Sequence, residues 1–234
     1  MSDSAGAARP PIETLYEGKY LTLRREGTWE YVERPYARGA AFIVAVTAAR
    51  EIVLVEQYRV PLHRRCIELP AGIIGDEAAF ANEGVEAAAL RELEEETGFR
   101  GARAELLTSG PVGAGLASEI LYLFRAHDLQ RVSAGGGVEG EDITVHVVPL
   151  AGIGEWLAQQ GRSDKWVEPR VYAGLWFAQN ETAGRYSGFR GLPCAPCPPR
   201  RAGRDVFASR PTPLRFPCSF SPGAIRPGLM CCRC

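Results

Sequence analysis

The sequence predicts a mixed α/β (α+β) domain, and three observations carry that expectation. Short apolar runs rich in β-branched residues, such as Ala41–Thr47 and Ile52–Gln57, have the length and composition of buried strands. One segment before Gly98 repeats its apolar residues at helical spacing. Strands and helices do not alternate regularly, which argues against a doubly wound parallel sheet, and no internal repeat is present.

Taken in order, residues 1–13, rich in Ala, Ser and Pro, are expected to be disordered. Tyr16–Arg24 and Trp29–Arg34 read as a hairpin turning through Glu26-Gly27, a small sheet leading into a larger one. Cys66-Ile67-Glu68-Leu69 reaches Pro70-Ala71-Gly72, read as an irregular stop, and a long loop runs on to about Glu83. Val85, Ala89 and Leu93 then give a helix its core-facing side, and Gly98 ends it. Strands are expected at Ala104–Thr108, Ile120–Ala126 and Ile143–Pro149, the last two separated by the flexible connection Ser133-Ala134-Gly135-Gly136-Gly137. Ile153–Gln160 and Pro169–Gln179 read as helices, the second with proline in its first turn. The expected organisation is an N-terminal strand region (14–40), a main domain (41–182) and a tail (183–234).

With 46 % hydrophobic and 24 % charged residues, the chain is in the globular range and long enough for one substantial core. Its net charge of −1 hides an asymmetry: residues 183–234 hold nine Arg, one acid, nine Pro and six of the seven Cys. Subtraction leaves 18 basic and 27 acidic residues in 1–182, a net −9. An acidic body argues against a nucleic-acid-binding surface. Its single thiol, Cys66, excludes a disulfide framework there and suits a reducing compartment. With no apolar run of 18 residues and no signal-peptide pattern at Met1–Pro11, the expectation is a cytoplasmic protein without membrane association.

The chemistry is concentrated in Arg91-Glu92-Leu93-Glu94-Glu95-Glu96-Thr97-Gly98. Like charges four apart cost a helix roughly 0.2–0.5 kcal/mol per pair, and carboxylates at the negative C-terminal end of the macrodipole cost roughly 0.3–1 kcal/mol each when exposed. Local stability therefore does not explain the sequence; a bound cation does. At about 100° per residue, Glu92, Glu95 and Glu96 share one face while Glu94 points away. Three clustered carboxylates suit a hard cation such as Mg²⁺, which binds together with substrate phosphates. On charge clustering alone, an acidic surface helix without metal competes evenly.

The spacing decides between them, because the segment resembles the Nudix box, G-x5-E-x7-R-E-U-x-E-E-x-G-U. Glu83 stands eight residues before Arg91, and Arg91, Glu92, Leu93, Glu95, Glu96, Gly98 and Phe99 fill every later position. A chance match from Arg91 onward would occur in on the order of one chain in ten thousand. One departure is the box glycine: the strict position holds Glu77, and Gly72 lies ten rather than five residues before Glu83. A five-residue expansion of the loop 73–82 accounts for this at small entropic cost.

The resemblance covers about residues 14–180 and lies with the ADP-ribose pyrophosphatase-like branch. It implies a Nudix fold, a mixed β-sheet sandwiched between helices with an N-terminal antiparallel strand extension. It further implies metal ligation by Glu92, Glu95, Glu96 and the Ala71 carbonyl, with Mg²⁺ the expected cofactor and Mn²⁺ the alternative. Glu83 and Arg91 are expected to form a bracing ion pair, with Gly72 and Gly98 structural. For substrate, the branch implies Trp29 as an aromatic platform, Glu30 as a base partner, and Arg34 and Arg59 on the remainder of a nucleotide-sugar ligand. Ser118 and Glu119 are weaker candidates near the site. The acids of Gly135-Gly136-Gly137-Val138-Glu139-Gly140-Glu141-Asp142 supply the expected general base, Glu139, with Glu141 next to it and Glu95 a further catalytic candidate. Relatives pair their N-terminal strands, so a homodimer is expected.

Bland readings compete at several of these positions: Trp29 covering a hairpin, Arg59 in a salt bridge, the loop acids in an ordinary turn. Within the enzyme class, GDP-mannose or another nucleotide sugar is the runner-up to ADP-ribose. A non-hydrolytic ligand sensor is the alternative from a different class, and the intact box argues against it. In the tail, Cys194-x2-Cys197 with the terminal cysteines suggests a zinc site only weakly, and a disordered or frame-shifted segment is preferred. Nucleic-acid binding through the tail's arginines is a further alternative.

Overall fold

The computed structural model describes residues 9–75, 80, 82–138 and 140–180. Glu139, and the tail with its CxxC pair, lie outside the described residues.

Strands β1 (Ile12–Glu17), β2 (Thr22–Glu26) and β3 (Trp29–Glu33) form an antiparallel sheet in that order. The β2–β3 hairpin pairs Glu26 with Trp29 around Gly27, whose φ of 61° places it in the left-handed region glycine tolerates. Two expectations need correction here. Strand β1 begins at Ile12, inside the segment read as disordered, because pairing with β2 satisfies its backbone. The expected single strand Tyr16–Arg24 is two strands, divided where the Gly18 N–H donates to the Leu21 carbonyl at 2.8 Å and turns the chain.

Two four-stranded sheets make the body. One has the order β7 (Ala71–Ile73), β4 (Ala40–Ala45), β10 (Ile120–His127), β9 (Arg103–Pro111), with β4 and β10 parallel. The other has the order β12 (Ile143–Pro149), β5 (Glu51–Arg59), β6 (Arg64–Glu68), β13 (Trp166–Val167). A short pair joins β8 (Phe99–Arg100) to β11 (Gln130–Arg131). Pro70-Ala71-Gly72 is thus not an irregular stop. Ala71–Ile73 pairs antiparallel with β4, and the Pro70 carbonyl accepts from the Ile43 N–H at 2.9 Å.

The helices are α1 (Val85–Thr97), α2 (Ile153–Arg162) and α3 (Pro169–Gln179). Every residue of β4 is buried, and its period of two divides the core. Phe42 and Val44 join Leu54, Ile67 and Leu69 with Ile153 and Leu157 of α2 and Val171 and Leu175 of α3. Ala41, Ile43 and Ala45 join Val53 and Phe124 with Ala88, Ala89 and Leu93 of α1. The sheets therefore lie between α1 and the α2–α3 pair. Each fully buried aliphatic side chain, Leu93 or Ile43 for example, contributes about 1.5–3 kcal/mol by leaving water. The buried face of α1 is formed by Ala88, Ala89 and Leu93, which fixes the rotation of the helix and so the direction of its acids.

Candidate active site

The acids of α1 are held in three different ways. Glu96 is 5 % exposed, and its Oε2 accepts the Ala71 N–H at 2.9 Å, tying helix to β7. Burial, reinforced by the carboxylates of Glu92 and Glu141, pushes the Glu96 carboxyl up to about 8 against the opposing pull of the Ala71 N–H and Arg59. Glu92 and Glu95 share Arg91, whose Nη2 and Nη1 lie 2.9 Å from Glu92 Oε1 and Glu95 Oε2. Glu94 turns outward to Arg100, at 2.7 and 2.8 Å.

Arg91 also meets Glu83 at 3.2 Å, the bracing pair expected from the sequence, and its guanidinium lies 4.2 Å from the centroid of the Phe80 ring. Gly72 stands where a Cβ would collide with the Glu92 carboxylate. Backbone and carboxylate thus share space at Gly72 that a side chain would fill.

The helix ends at Gly98, with φ 72° and its N–H on the Glu94 carbonyl at 2.8 Å. The next two free carbonyls are capped by the glycine-rich segment. Gly136 N–H donates to Glu96 O at 2.8 Å, and Gly137 N–H donates to Glu95 O at 3.0 Å. These donors offset the negative helix end on which the acids sit. The reading of 133–137 as a flexible connection is corrected accordingly: at Gly135 the chain runs so close to Thr97 that a Cβ would strike its backbone. Glycine is there for close approach. Beyond it, Glu141 Oε2 accepts the Val138 N–H at 3.0 Å, with the Glu141 N–H on Val138 O at 3.1 Å.

Arg59 forks onto Glu68, with Nε to Oε1 at 2.8 Å and a second bond from Nη2 to Oε2. The salt-bridge reading of Arg59 thus describes this state. Glu68, 5 % exposed and two residues before Pro70, is an acid that the motifs do not single out. The signal for it is a lone carboxylate inside the buried and otherwise apolar run 66–70. Among the described residues, no three His, Cys, Asp or Glu side chains stand together as a finished ligand cluster. The donor set nevertheless fits a hard cation: carboxylates converge on the buried, charge-averse Glu96.

Away from these acids, an open cavity of about 690 Å³ is lined by Trp29, Tyr31, Ala117 and Ser118 together with the β2–β3 turn. Val32 N–H donates to Leu116 O at 2.9 Å and Ser118 N–H to Val32 O at 3.1 Å, so β3 carries the loop 113–118 with it. Arg34 pairs with Glu119 at 2.9 Å. Glu30 turns to Arg25 at 2.6 Å and is not among the lining residues.

Residues 37–167, more than half of the chain, match the family model described as NUDIX domain. The chain belongs to the NUDIX domain family. Among curated relatives, the Nudix chain is 38 % identical over 121 residues to "Methanol dehydrogenase activator" of Bacillus methanolicus, covering 52 % of this chain and 60 % of that protein. It is 39 % identical over 128 residues to "ADP-ribose pyrophosphatase" of Bacillus subtilis (strain 168), covering 50 % and 64 %. The chain thus spans less than two thirds of the length of each. A solved structure titled "Crystal structure of ADP compounds hydrolase" aligns with a TM-score of 0.58 at 22 % identity, covering 76 % of this chain and 95 % of that one, a likeness of fold.

Within the Nudix framework, the structure brings Ala71, Gly72, Glu83, Arg91, Glu92, Glu95 and Glu96 together along α1 through successive contacts, with Glu141 close enough to act on Glu96. Trp29 and Ser118 meet in the N-terminal cavity. What spacing could not convey is the capping of α1 by Gly136 and Gly137, which depends on a contact some forty residues along the chain. No helix among the described residues is long and apolar enough to cross a membrane.

Proposed function

We propose that this Nudix chain hydrolyses the diphosphate bond of a nucleoside diphosphate-sugar with a divalent cation, Mg²⁺ in preference to Mn²⁺, and that ADP-ribose is its best substrate. The observation that carries the reading is Glu96: a carboxylate buried beside Glu92 and Glu141 at the acid-rich end of a helix, an arrangement that folding alone disfavours and a cation relieves. Glu92, Glu95, Glu96 and the Ala71 carbonyl would hold the metal. When bound, it would draw charge from the diphosphate oxygens and lower the pKa of water.

The chain's own residues do the rest. Arg91 orders Glu92 and Glu95, and Glu83 orders Arg91. Arg34 and Arg59 supply positive charge for the phosphates and the remainder of the ligand. A loop acid accepts a proton from the attacking water; Glu139 is the proposed base, and Glu141 is the neighbour whose charge already acts on Glu96. Water then adds across the bridging P–O bond, the hydroxyl going to one phosphorus and the proton to the other phosphate, and ADP-ribose yields AMP and ribose 5-phosphate. Trp29 offers its ring to the base from the cavity wall, with Ser118 and Glu119 nearby and Glu30 as a base partner once released from Arg25.

A homodimer through β1–β3 belongs to the same proposal: Ile12, Tyr16 and Trp29 are exposed on that sheet, and a second copy would cover them. The name of the Bacillus subtilis relative supports the ADP-ribose choice. The test is a panel of ADP-ribose, GDP-mannose, NADH and diadenosine polyphosphates with Mg²⁺, products identified by mass. ADP-ribose is expected to give the highest kcat/KM. Cleavage of none of them would overturn the hydrolytic reading in favour of a ligand sensor, and a preference for GDP-mannose would move the substrate assignment.

A further inference from the structure

The glycine-rich segment is held at two places, and the helix end is one of them. At the other, Asp142, the residue before β12, forms an ion pair with Arg65 of β6. Arg65 is no ordinary surface partner. Its Nε lies 3.6 Å from Oε1 of Glu56, a β5 carboxylate that is 6 % exposed. Glu56 Oε2 in turn accepts from Lys165 Nζ at 2.8 Å and pairs with His146 Nε2 at 3.0 Å. Lys165 also donates to Gln160 at 3.2 Å, and the His146 ring meets Trp156 edge-on with 5.2 Å between centroids. Burial pushes the Glu56 carboxyl up, but the hydrogen bonds and charges of Lys165 and His146 outweigh it and hold it below its ordinary value. The charges alternate from the sheet to the loop: Lys165 positive, Glu56 negative, Arg65 positive, Asp142 negative.

An isolated exposed Arg–Asp pair is worth little, because water screens it and both side chains must be ordered. Here the guanidinium is ordered from beneath by a buried carboxylate before Asp142 meets it. That difference makes the contact a tether.

We propose that Arg65 is a positioning residue: through Asp142 it fixes the far end of the glycine-rich segment and so keeps Glu141 beside Glu96. The inference rests on the hydrolytic reading, but its first readout does not require activity. In the full-length protein, Arg65→Gln, Asp142→Asn and the double variant are compared by hydrogen exchange at the Gly136, Val138 and Glu141 amides and by steady-state kinetics.

Both single variants are expected to exchange these amides about tenfold faster while the rest of the chain keeps its protection, and the double variant to do no more than either. For ADP-ribose, kcat is expected to fall about tenfold with KM within about twofold, since positioning and not ligand affinity is lost. Arg65→Gln keeps its fold, because Lys165 and His146 still satisfy Glu56. Asp142→Asn repeats the test at a side chain that is 74 % exposed. Wild-type exchange rates in both single variants, or effects that multiply in the double variant, would overturn the tether. Should the wild-type protein cleave no nucleoside diphosphate while Arg65→Gln still loosens the segment, the hydrolytic reading fails and the tether stands.

Discussion

Glu96 in α1 is 5 % exposed and Trp29 in β3 is 62 % exposed, although both are assigned to one substrate. Around Glu96, a single chain supplies nearly everything: the Ala71 N–H, the missing Cβ of Gly72, the Arg91 fork and the glycine donors on the helix end. Around Trp29, the chain supplies one wall of an open cavity and leaves apolar side chains in water. The contrast separates the two tasks of the proposed hydrolase. Chemistry needs charges held against their own repulsion, so the fold constrains them tightly. Recognition of a base needs flat apolar surface that one thin sheet can present but not enclose.

The largest expected effect tests the constrained side. Glu96→Gln should lower kcat/KM for ADP-ribose by more than about a hundredfold, beyond what loss of a supporting residue around a metal costs. The amide keeps an oxygen for the Ala71 N–H, so the fold should survive, and calorimetry would separate lost activity from lost stability. Activity near wild type would remove Glu96 from the metal site.

On the recognition side, Trp29→Ala should weaken substrate by about 1–3 kcal/mol, or roughly 5- to 150-fold in KM, with kcat little changed. An unchanged KM would make Trp29 a cover for the hairpin. If a second copy completes the cavity, the loss should be larger at protein concentrations that favour the dimer, which sedimentation can follow.

A third test uses the proton on Glu96. Its carboxyl, raised to about 8 in the metal-free chain, is protonated at neutral pH, so a cation must displace that proton. Mg²⁺ affinity should therefore rise with pH, by up to about tenfold per unit below 8, and level off above it. Titration calorimetry in two buffers of different ionisation enthalpy would count the protons released. For stability the sign runs the other way. A raised carboxyl favours the metal-free fold fully below the ordinary carboxylate range, and that contribution is lost as pH climbs through 8. Saturating Mg²⁺ should remove the decline, and thermal melts from pH 6 to 9 check it.

The smallest effect is expected at Glu94. Paired outward with Arg100 in solvent, it should be replaceable by Gln with activity within about twofold of wild type. A large loss there would break the division between inward and outward acids along α1.

That division is legible in the amino-acid sequence, because a helix has a fixed period: Val85, Ala89 and Leu93 set the buried side, and the acids follow by angle. Strands β4, β5, β10 and β12 are legible from β-branched runs, with ends that differ by up to two residues at either side. What escapes has a common cause. Ala71–Ile73 pairing with β4, and Gly136 and Gly137 capping α1, are settled by partners distant in sequence. Composition at those positions permits several outcomes, and tertiary hydrogen bonding selects one. Glu68 escapes for a related reason: a buried acid is intelligible only once Arg59 is seen across the strand pair.

The capped helix end also bears on how this sequence can drift. Gly135 and Gly137 have no room for a side chain, so substitutions there would be purged whatever residue arrives. Gly140 has open space where a Cβ would stand, but its φ of 97° strains any side chain, and Asp142 is held by Arg65. Side-chain variation that retunes the loop is therefore left to positions that neither cap the helix nor anchor the segment, such as the exposed Val138. In such a fold, variation in substrate preference would be written at few positions of this loop, and the acid-rich end of α1 would not record it.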